Sequence, residues 1–343
     1  MKFALIVVLT ILIIIFVVLV IGLMMGNQFF SGGAKAGILF SEDNGEHWNF
    51  SEETYKIEVE TMKIDFDSGD LLAGTKGNGV WRKKVAEKEW QEMNFPVLKG
   101  ARVFDIEKYD NSGAFLATVF SEKRGRIFRL ENGDEQELYF TSLPQYAIFG
   151  AAVHPFNNKI LWAVSSDGGF YESRDRGENW RAVSRFNEGL VGLVDHPYLA
   201  GRLWVVTSQG KIYGTWDAGK LWQNLSGGLE KFSGADKIEI LFLDKKTGIL
   251  YLGSKHGLLR SYDGGTSWQE VSLPLPAEAF PVTAVATDPN NSAKIFAAAG
   301  NQIYISEDNG FTWRGAILPT KRLVSAIAIN PKNSDNIHIG LRR

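Results

Sequence analysis

The side chains that most often do chemistry in proteins are scarce in this chain of 343 residues. It has no Cys, which excludes disulfides, thiol nucleophiles, iron–sulfur clusters and thiolate zinc sites, and only five His remain as metal ligands. The net charge of -2 gives no electrostatic reason to expect nucleic-acid binding, which needs a basic face to displace counterions. Carboxylates are plentiful, and five of them recur in one sequence pattern.

The recurring pattern is Ser/Thr-x-Asp-x-Gly-x-x-Trp, and its Asp could act as a catalyst, a calcium ligand or a turn former. We interpret it as a turn former, because Asp accepts hydrogen bonds from turn amides and Gly adopts the positive φ that other residues resist. We expect the Trp ring to be buried between neighbouring units. The five copies, which we call boxes, contain Ser41, Asp43, Gly45 and Trp48; Ser173, Asp175, Gly177 and Trp180; Thr215, Asp217, Gly219 and Trp222; Ser261, Asp263, Gly265 and Trp268; and Ser306, Asp308, Gly310 and Trp313.

The spacing of the boxes indicates an internal repeat of about 44 residues. Three such intervals separate Asp43 from Asp175, which predicts two degenerate copies in the gap. One ends at Trp90, and the other lies at residues 126–133. Each box stands between short runs rich in β-branched and aromatic residues, which is typical of a β-hairpin.

A second hairpin precedes each box, so each unit has four strands. His154 and His196 occupy the turn positions that Asp288 and Asn330 hold in other units, and we interpret them as turn residues. Seven units of four strands predict an all-β fold, a seven-bladed β-propeller. The soluble part begins with the second half of a unit and ends with the first half of one. The two halves should pair and close the ring within a domain of residues 36–343.

The N-terminus predicts a membrane anchor, because the segment from Phe3 to Met25 carries no charge. As a helix it would reach roughly 34 Å, slightly more than the hydrocarbon thickness of about 30 Å. We therefore expect a transmembrane signal-anchor at residues 1–26 and a linker at 27–35. Lys2 should stay cytoplasmic, which places the propeller outside the cytoplasm. The alternative is cleavage after the small-x-small sequence at residues 34–36 and secretion of the rest.

These boxes are the Asp-box motif, and the chain resembles Asp-box (BNR-like) β-propellers over about residues 36–343. Such propellers occur in sortilin-type receptors, xyloglucanases, sialidases and the photosystem II assembly factor family. The assembly-factor type is the nearest in size and layout. That family has a single seven-bladed propeller that is exported across a membrane, and it helps assemble a membrane complex by binding a subunit. The resemblance implies a protein-binding scaffold with no known chemistry and no cofactor.

The other Asp-box propellers differ from this chain in several respects. Sialidases resemble the chain less, because their Arg-Ile-Pro-type motif is missing ahead of the first box, where residues 32–35 read Gly-Gly-Ala-Lys. Xyloglucanases look like two joined propellers with catalytic Asp residues facing the cleft between them, and one propeller cannot form that cleft. Sortilin-type receptors continue into Cys-rich modules, which this chain lacks.

The turns of both hairpins of each unit should share one face of the propeller, which we call the box face. The opposite face, the loop face, should carry the irregular connections, and loops on a rigid scaffold often carry function. The alternative is that these loops are only solvated connections. The short linker should hold the loop face near the bilayer. Five basic residues should then lie close to headgroups or to a membrane partner, namely Lys35, Lys321, Arg322, Arg342 and Arg343. The candidate partner residues on the loop face are Arg124, Tyr146, Lys255, His256, Lys321 and Arg322.

The sequence thus predicts a membrane-anchored scaffold that binds a protein partner, such as an assembly or stability factor for a membrane complex. We expect no enzymatic activity, no metal and no nucleic acid. The competing class is a carbohydrate-active enzyme, which would need two carboxylates roughly 5 to 10 Å apart in the central depression. A polysaccharide-binding module that uses exposed aromatic residues such as Tyr55, Tyr146 and Phe280 is a third alternative.

Overall fold

A computed structural model describes residues 37–65, 68–275 and 281–343 of the chain. These residues form antiparallel β-sheets, with three short 3-10 turns at Glu52–Thr54, Pro96–Leu98 and Ser226–Leu229 as their helical elements. The prediction of an all-β protein is confirmed. A search of the same residues finds no helix with the length and apolar character needed to cross a membrane. The predicted anchor at residues 1–26 and the linker at 27–35 lie outside the described part of the chain.

The described residues form 28 strands, which follow one another in consecutive groups of four. The chain opens with β1 (Gly37–Ser41) and β2 (Asn49–Phe50). The next two groups are β3 (Val59–Ile64), β4 (Leu71–Asn78), β5 (Val80–Lys83) and β6 (Gln91–Glu92), then β7 (Lys99–Lys108), β8 (Phe115–Ser121), β9 (Arg124–Glu131) and β10 (Asp134–Phe140). Two groups follow as β11 (Ile148–Val153), β12 (Leu161–Ser165), β13 (Gly169–Ser173) and β14 (Trp180–Arg185), then β15 (Leu190–Asp195), β16 (Leu203–Thr207), β17 (Ile212–Thr215) and β18 (Gln223–Asn224). The remaining strands are β19 (Ile238–Leu243), β20 (Leu250–Ser254), β21 (Gly257–Ser261) and β22 (Gln269–Val271), then β23 (Val282–Thr287), β24 (Ile295–Ala299), β25 (Gln302–Ser306) and β26 (Arg314–Ile317), and finally β27 (Leu323–Ile329) and β28 (Ile337–Arg342).

Within each group the strands pair in sequence order as an antiparallel meander. The groups β3–β6 and β7–β10 also join into one eight-stranded sheet, because β4 runs on past its partner and pairs with β7. The two joining pairs are Lys76 with Arg102 and Asn78 with Lys99. The units that were predicted around Trp90 and residues 126–133 from degenerate sequence therefore form strands like the others.

The groups are arranged around a centre, as in a β-propeller. The first strand of each group contacts the first strand of the next, from β3 through β7, β11, β15, β19 and β23 to β27. The contacts then return from β27 to β3, so the first strands form a closed circuit. Side chains that point inward from these strands therefore face one another across the centre.

The two ends of the described chain pair with each other, as the sequence predicts. Strand β1 lies between β2 and β28 in a sheet of order β2-β1-β28-β27. Its register runs from Gly37 opposite Leu341 to Ser41 opposite Ile337. This pairing fixes both ends of the propeller with backbone hydrogen bonds and makes a disulfide unnecessary for closure.

Apolar side chains from adjacent sheets form the core. Phe296 and Ile303 of one sheet share a buried cluster with Val324 and Ile339 of the next. Each such side chain contributes about 1.5–3 kcal/mol when it is removed from water. The core therefore lies between neighbouring sheets and supports the ring all the way round.

A buried histidine lies at the closure. His338 on β28 pairs across the sheet with Phe40 on β1, and its ring centroid is 6.0 Å from that of Trp90. Among the described residues, neither His338 Nδ1 nor Trp90 Nε1 has a hydrogen-bond partner. Burial lowers the pKa of His338 to about 3, helped by the charge of Lys83. The imidazole is therefore neutral at physiological pH.

We expect His338 to make the closure sensitive to acid. An unfolded His binds its proton near pH 6.5, whereas His338 resists protonation until about pH 3 in the folded protein, so folding stability falls as the pH drops between these values. The slope from one such group is about 1.4 kcal/mol per pH unit. Thermal melts at pH 7 and pH 5 should show a smaller loss of Tm for His338→Phe than for the wild-type protein.

His47 provides the control, because its pKa is raised by the neighbouring carboxylate of Asp43 and its contribution has the opposite sign. His47→Phe should leave the acid-induced loss of Tm undiminished. Equal losses in the wild-type protein and in His338→Phe would show that the buried imidazole does not control the closure.

Candidate functional site

The boxes have the same hydrogen bonds in all five copies. The Ser or Thr hydroxyl donates to the Asp carboxylate at 2.8 Å, as from Ser261 to Asp263. The same hydroxyl accepts from the backbone N–H of the Gly, at 2.8 Å in the case of Gly265. The Asp then accepts from the backbone N–H four residues further on, as from Ser267 at 2.9 Å. The carboxylate of each box is thus engaged within its own turn.

These hydrogen bonds favour the charged carboxylate. The side-chain and backbone donors of Thr312, followed by Ser306, lower the pKa of Asp308 to about 2. A general acid or base needs a pKa near the working pH and a position open to a substrate. The box carboxylates therefore have the properties of structural acceptors.

Each box glycine lies where one unit meets the preceding one. The φ of Gly219 is +84°, and a Cβ on this residue would come within 2.3 Å of the ring of Phe170 in the preceding sheet. Gly177 faces Leu138 and Gly310 faces Val271 in the same manner. Both the positive φ and the close contact exclude other residues, so each box joins two consecutive sheets.

The box tryptophans complete this joint. Trp268 is 1% exposed, and its indole N–H donates to the carbonyl of Gly265 at 3.0 Å. The indole N–H of Trp222 donates instead to Ser184 in the preceding unit, at 3.2 Å. The ring of Trp180 lies 5.4 Å from that of Tyr139, also in the preceding unit. The rings thus pack between units, although Trp48, Trp180, Trp222 and Trp313 keep partial exposure.

Removing the hydroxyl of a box should destabilise the fold. Ser261 is 1% exposed, and Ser261→Ala leaves the buried N–H of Gly265 without an acceptor, which costs about 1–3 kcal/mol of unfolding free energy. Urea titrations should show this loss. The exposed neighbour Thr266 provides the control, since Thr266→Ala should change stability by less than about 0.5 kcal/mol. Equal effects of the two substitutions would contradict the structural role of the box hydroxyl.

One box contains a group with metal-ligating side chains. The ligand atoms of Asp43, Glu46 and His47 lie within 4.8 Å of one another, and all three side chains face solvent. Asp43 also accepts hydrogen bonds from Ser41 and from the backbone of His47. Hydrogen bonding within the turn therefore accounts for this group without an ion.

The candidate partner residues near β9 belong to one corner of the loop face. Arg124 donates to the carbonyls of Thr141 and Ser142 at 3.0 and 3.2 Å, and its guanidinium lies 5.6 Å above the exposed ring of Phe140. Tyr146 lies nearby with a partly exposed side chain, and its carbonyl accepts from Gly125 at 2.8 Å. Arg124 therefore has a local structural role in addition to its place on the surface.

The remaining candidate residues lie elsewhere on the loop face. Lys255 is exposed, whereas His256 packs against Phe232 with ring centroids 5.2 Å apart and contacts the carbonyl of Ser233 at 3.0 Å. Lys321 is exposed and Arg322 partly exposed in the segment before β27. The candidates thus come from three separate units, and they do not form one cluster.

The two C-terminal arginines have partners within the chain. Arg342 pairs with Glu239 of β19 at 3.1 Å, and Arg343 pairs with Glu58 at 2.7 Å. Glu58 also pairs with Lys76 at 3.5 Å. These arginines therefore link β28 to two other units on the loop face, and their charges are partly neutralised.

A cluster of charged side chains that the sequence analysis did not identify faces the centre of the ring. Lys63 of β3 lies 3.3 Å from Asp105 and 3.2 Å from Glu107, which both belong to β7. Asp195 of β15 and Lys245, which follows β19, are close enough to influence the charges of this group. The cluster therefore combines residues from units on several sides of the centre.

The cluster is enclosed by protein, yet water reaches it. The side chains of Lys63, Asp105 and Glu107 are 42%, 16% and 18% exposed, respectively. Burial raises the pKa of Asp105 to about 6 against the opposing charge of Lys63. Burial also raises the pKa of Glu107, but the positive charges of Lys63 and Lys245 outweigh burial, so the pKa of Glu107 is lowered overall. Two neighbouring carboxylates with pKa values shifted in opposite directions are typical of acid–base catalysis.

A small cavity lies beside this cluster on the box side of the ring. It has a volume of about 60 Å³, and Lys63, Asp70, Arg82 and Lys108 are among its lining residues. Asp70 forms an ion pair with Arg82 within it. The volume is enough for a few water molecules. Neither Asp105 nor Glu107 is among its lining residues, so the cavity does not lie between the two carboxylates.

The sequence contains one signal that could have revealed the central cluster. The first strands β11, β19, β23 and β27 carry no charged residue in their second half. Strands β3, β7 and β15 carry charged residues there, among them Lys63, Asp105, Glu107 and Asp195. A charge inside a strand that faces the centre requires a partner from another first strand. These strand positions were not among the candidate residues predicted from the sequence.

Lys63 should hold the two carboxylates in place. Lys63→Met removes the cation between Asp105 and Glu107, and we expect a loss of about 1–3 kcal/mol at pH 8, less than for a fully buried pair because Lys63 is 42% exposed. Without Lys63 the folded-state pKa of both carboxylates rises above the unfolded values, so the loss should shrink as the pH falls toward 4. Urea titrations at both pH values measure this difference. A loss that does not depend on pH would contradict the electrostatic role of Lys63.

The fold and the boxes define a BNR-like β-propeller of the Asp-box type. The sequence model of the family described as photosynthesis system II assembly factor YCF48 matches residues 200–336, which is less than half of the chain. This match confirms the predicted resemblance to the assembly-factor type of propeller. No curated protein sequence matches the chain.

Solved structures share the fold at low sequence identity. The chain is similar to YCF48 bound to D1 peptide, with 14% identity and a TM-score of 0.63 over 84% of this chain and 94% of that one. YCF48 from Cyanidioschyzon merolae gives 14% identity and a TM-score of 0.64, over 83% of this chain and 96% of that one. The GH74 xyloglucanase from Xanthomonas campestris gives 18% identity and a TM-score of 0.67 over 83% of this chain. The chain spans only 51% of the length of that xyloglucanase.

Proposed function

We propose that the protein is a membrane-anchored, extracytoplasmic β-propeller of seven blades that binds a protein partner and assists the assembly or stability of a membrane complex. The four-stranded groups and the closed circuit of first strands support the blade count. The similarity in fold and size to a propeller solved with a bound peptide carries the functional part of the proposal. The family match over residues 200–336 points in the same direction.

The geometry of the described N-terminus supports an anchor that approaches from the loop face. Gly37 begins β1 opposite Leu341, near the end of β28, and this end of both strands belongs to the loop face. A span at residues 1–26 with a linker at 27–35 would then hold the loop face toward the bilayer. The proposed partner is a membrane protein that lies beside this face.

The loop face offers a mixed surface for such a partner. Lys255 and Lys321 are exposed there, and Leu143 next to the candidate Tyr146 is 59% exposed. The rigid ring positions these loops, which reduces the conformational entropy that the loops lose on binding. We propose that this face makes the principal contact with the partner.

The central carboxylates favour a second candidate function, a glycoside hydrolase. Asp105 and Glu107 both lie within 3.3 Å of the Nζ of Lys63, so the two carboxylates are close neighbours, as the catalytic pair of a glycoside hydrolase must be. Lys63 pairs with both of them, and neither carboxylate lines the adjacent cavity. These two observations make the hydrolase the weaker candidate.

Photocrosslinking in native membranes tests the proposal. A benzoylphenylalanine at Tyr146 on the loop face should capture a defined membrane protein, and one at Phe311, which is 79% exposed on the box face, should not capture the same protein. Lys255→Glu should reduce the yield at position 146, whereas Lys220→Glu on the box face should not.

Two outcomes would contradict the proposal. The first is an absence of a reproducible protein crosslink at position 146. The second is hydrolysis of xyloglucan by the purified full-length protein that Glu107→Gln abolishes, which would establish the hydrolase.

A further inference from the structure

One unit presents an unusual set of exposed apolar side chains on the box face. Tyr198 and Leu199, in the turn between β15 and β16, are 65% and 49% exposed. Trp216, in the box of the same unit, is 46% exposed. Tyr262, in the box of the next unit, is 57% exposed. Large apolar side chains are normally removed from water, so a concentration of them on one face indicates an interaction surface.

Arg202 lies in the middle of these side chains. Its guanidinium carbon is 5.1 Å from the ring of Trp204 and 5.8 Å from the ring of Trp216. A Cβ on Gly264 would come within 2.3 Å of Arg202 Nη2, so the guanidinium lies directly on the box loop that also carries Tyr262. The buried Trp204 fixes this arrangement, since its indole N–H donates to the carbonyl of Gly264 at 2.8 Å. We call Tyr198, Leu199, Arg202, Trp216 and Tyr262 the Arg202 patch.

Among the described residues, Arg202 has no anionic partner at ion-pair distance from its guanidinium. Its Nε is buried without an acceptor in the same part of the chain. The nearest box carboxylates, Asp217 and Asp263, accept hydrogen bonds from their own turns. Burial lowers the pKa of Arg202, and no carboxylate offsets this effect. The indole rings hold the side chain in place and leave its charge uncompensated.

The neighbouring titratable groups do not neutralise this charge. His196 packs against Trp204 with ring centroids 6.5 Å apart, and burial together with the charge of Arg202 lowers its pKa. The imidazole is therefore neutral at physiological pH. Arg260 of the next unit lies 5.3 Å from the ring of Tyr262 and donates to the carbonyl of Asn309 at 2.7 Å, so it adds a second positive charge beside the patch.

We propose that the Arg202 patch is a second docking surface, and that it binds a protein segment in which a carboxylate side chain stands beside apolar side chains. The planar guanidinium of Arg202 would bind the carboxylate in a bidentate manner, and the rings of Tyr198, Trp216 and Tyr262 would cover the apolar neighbours. Trp, Tyr and Arg are the residues that contribute most to protein–protein binding.

The composition of the patch favours a polypeptide over an acidic polysaccharide. Leu199, together with Leu221 in the box of the same unit, which is 76% exposed, adds aliphatic surface that matches apolar side chains. The patch lies on the face opposite the loop face, so the proposal for the patch can be tested independently of the proposed partner contact. A protein with both surfaces would hold two partners, or two parts of one partner, on opposite faces of the ring.

Fluorescence anisotropy with the full-length protein in detergent micelles tests this proposal. The probe is a fluorescein-labelled peptide of Asp, Glu, Leu and Phe, and its counterpart carries Asn and Gln in place of every carboxylate. We expect the acidic peptide to bind at least about tenfold more tightly than its counterpart. Arg202→Ala and Trp216→Ala should each weaken the binding of the acidic peptide by about tenfold or more. Lys159→Ala removes an exposed charge from the same face at a neighbouring unit, and it should change the affinity by less than about twofold.

Thermal melts of each variant separate a loss of binding from a loss of folding, and Trp216→Ala keeps the test valid if Arg202→Ala proves unstable. Equal affinities of the wild-type protein and both patch variants would overturn the proposal. Absence of binding to the acidic peptide would overturn it as well. Tighter, Arg202-dependent binding of alginate than of the acidic peptide would assign the patch to an anionic polysaccharide instead.

Discussion

The structure depends on the joint that each box makes between two consecutive sheets. Within the turn, the Ser or Thr hydroxyl and the Asp carboxylate satisfy the backbone amides, so the loop is rigid without help from its surroundings. The Gly at its centre then lies against a side chain of the preceding unit, as Gly219 lies against Phe170. A Cβ at this position would push the two sheets apart. The five boxes repeat this contact, which helps to fix the angle between neighbouring sheets.

The packing of the sheets also explains where side chains of different units come together. Because the sheets surround a common centre, side chains of different first strands meet there, as Lys63 meets Asp105 and Glu107. Because each box contacts its neighbour, side chains of one unit reach the box of the next, as Arg202 reaches Gly264. The centre and the two faces are therefore consequences of one packing rule. Neither the central charged cluster nor the Arg202 patch could form on an isolated unit.

The same scaffold supports different functions because the boxes contribute no chemistry. The chain shares its fold with a xyloglucanase and with YCF48 structures at 18% identity or less. The family match and the share of each structure's length that is covered distinguish between these relatives. Function must then reside in the loops, the centre or exposed patches of a face. In the centre, Lys63 pairs with both Asp105 and Glu107. On the faces, Arg342 and Arg343 form ion pairs with carboxylates of the same chain. Among the described residues, Arg202 has no such ion pair.

Features that depend on residues within one turn were predictable from the sequence. The Ser, Asp, Gly and Trp of a box lie within eight positions, and their hydrogen bonds require only local backbone geometry, so their spacing predicted the hairpins and the repeat. The pairing of β1 with β28 was also predictable, because the repeat begins and ends with half a unit. The remaining features depend on which units become neighbours in three dimensions. Lys63 and Asp105 belong to different units, as do Trp204 and Gly264, which are 60 positions apart. Only the closed ring brings these side chains together, since the energy of an ion pair or of a ring contact depends on distance in space and leaves no mark in local spacing.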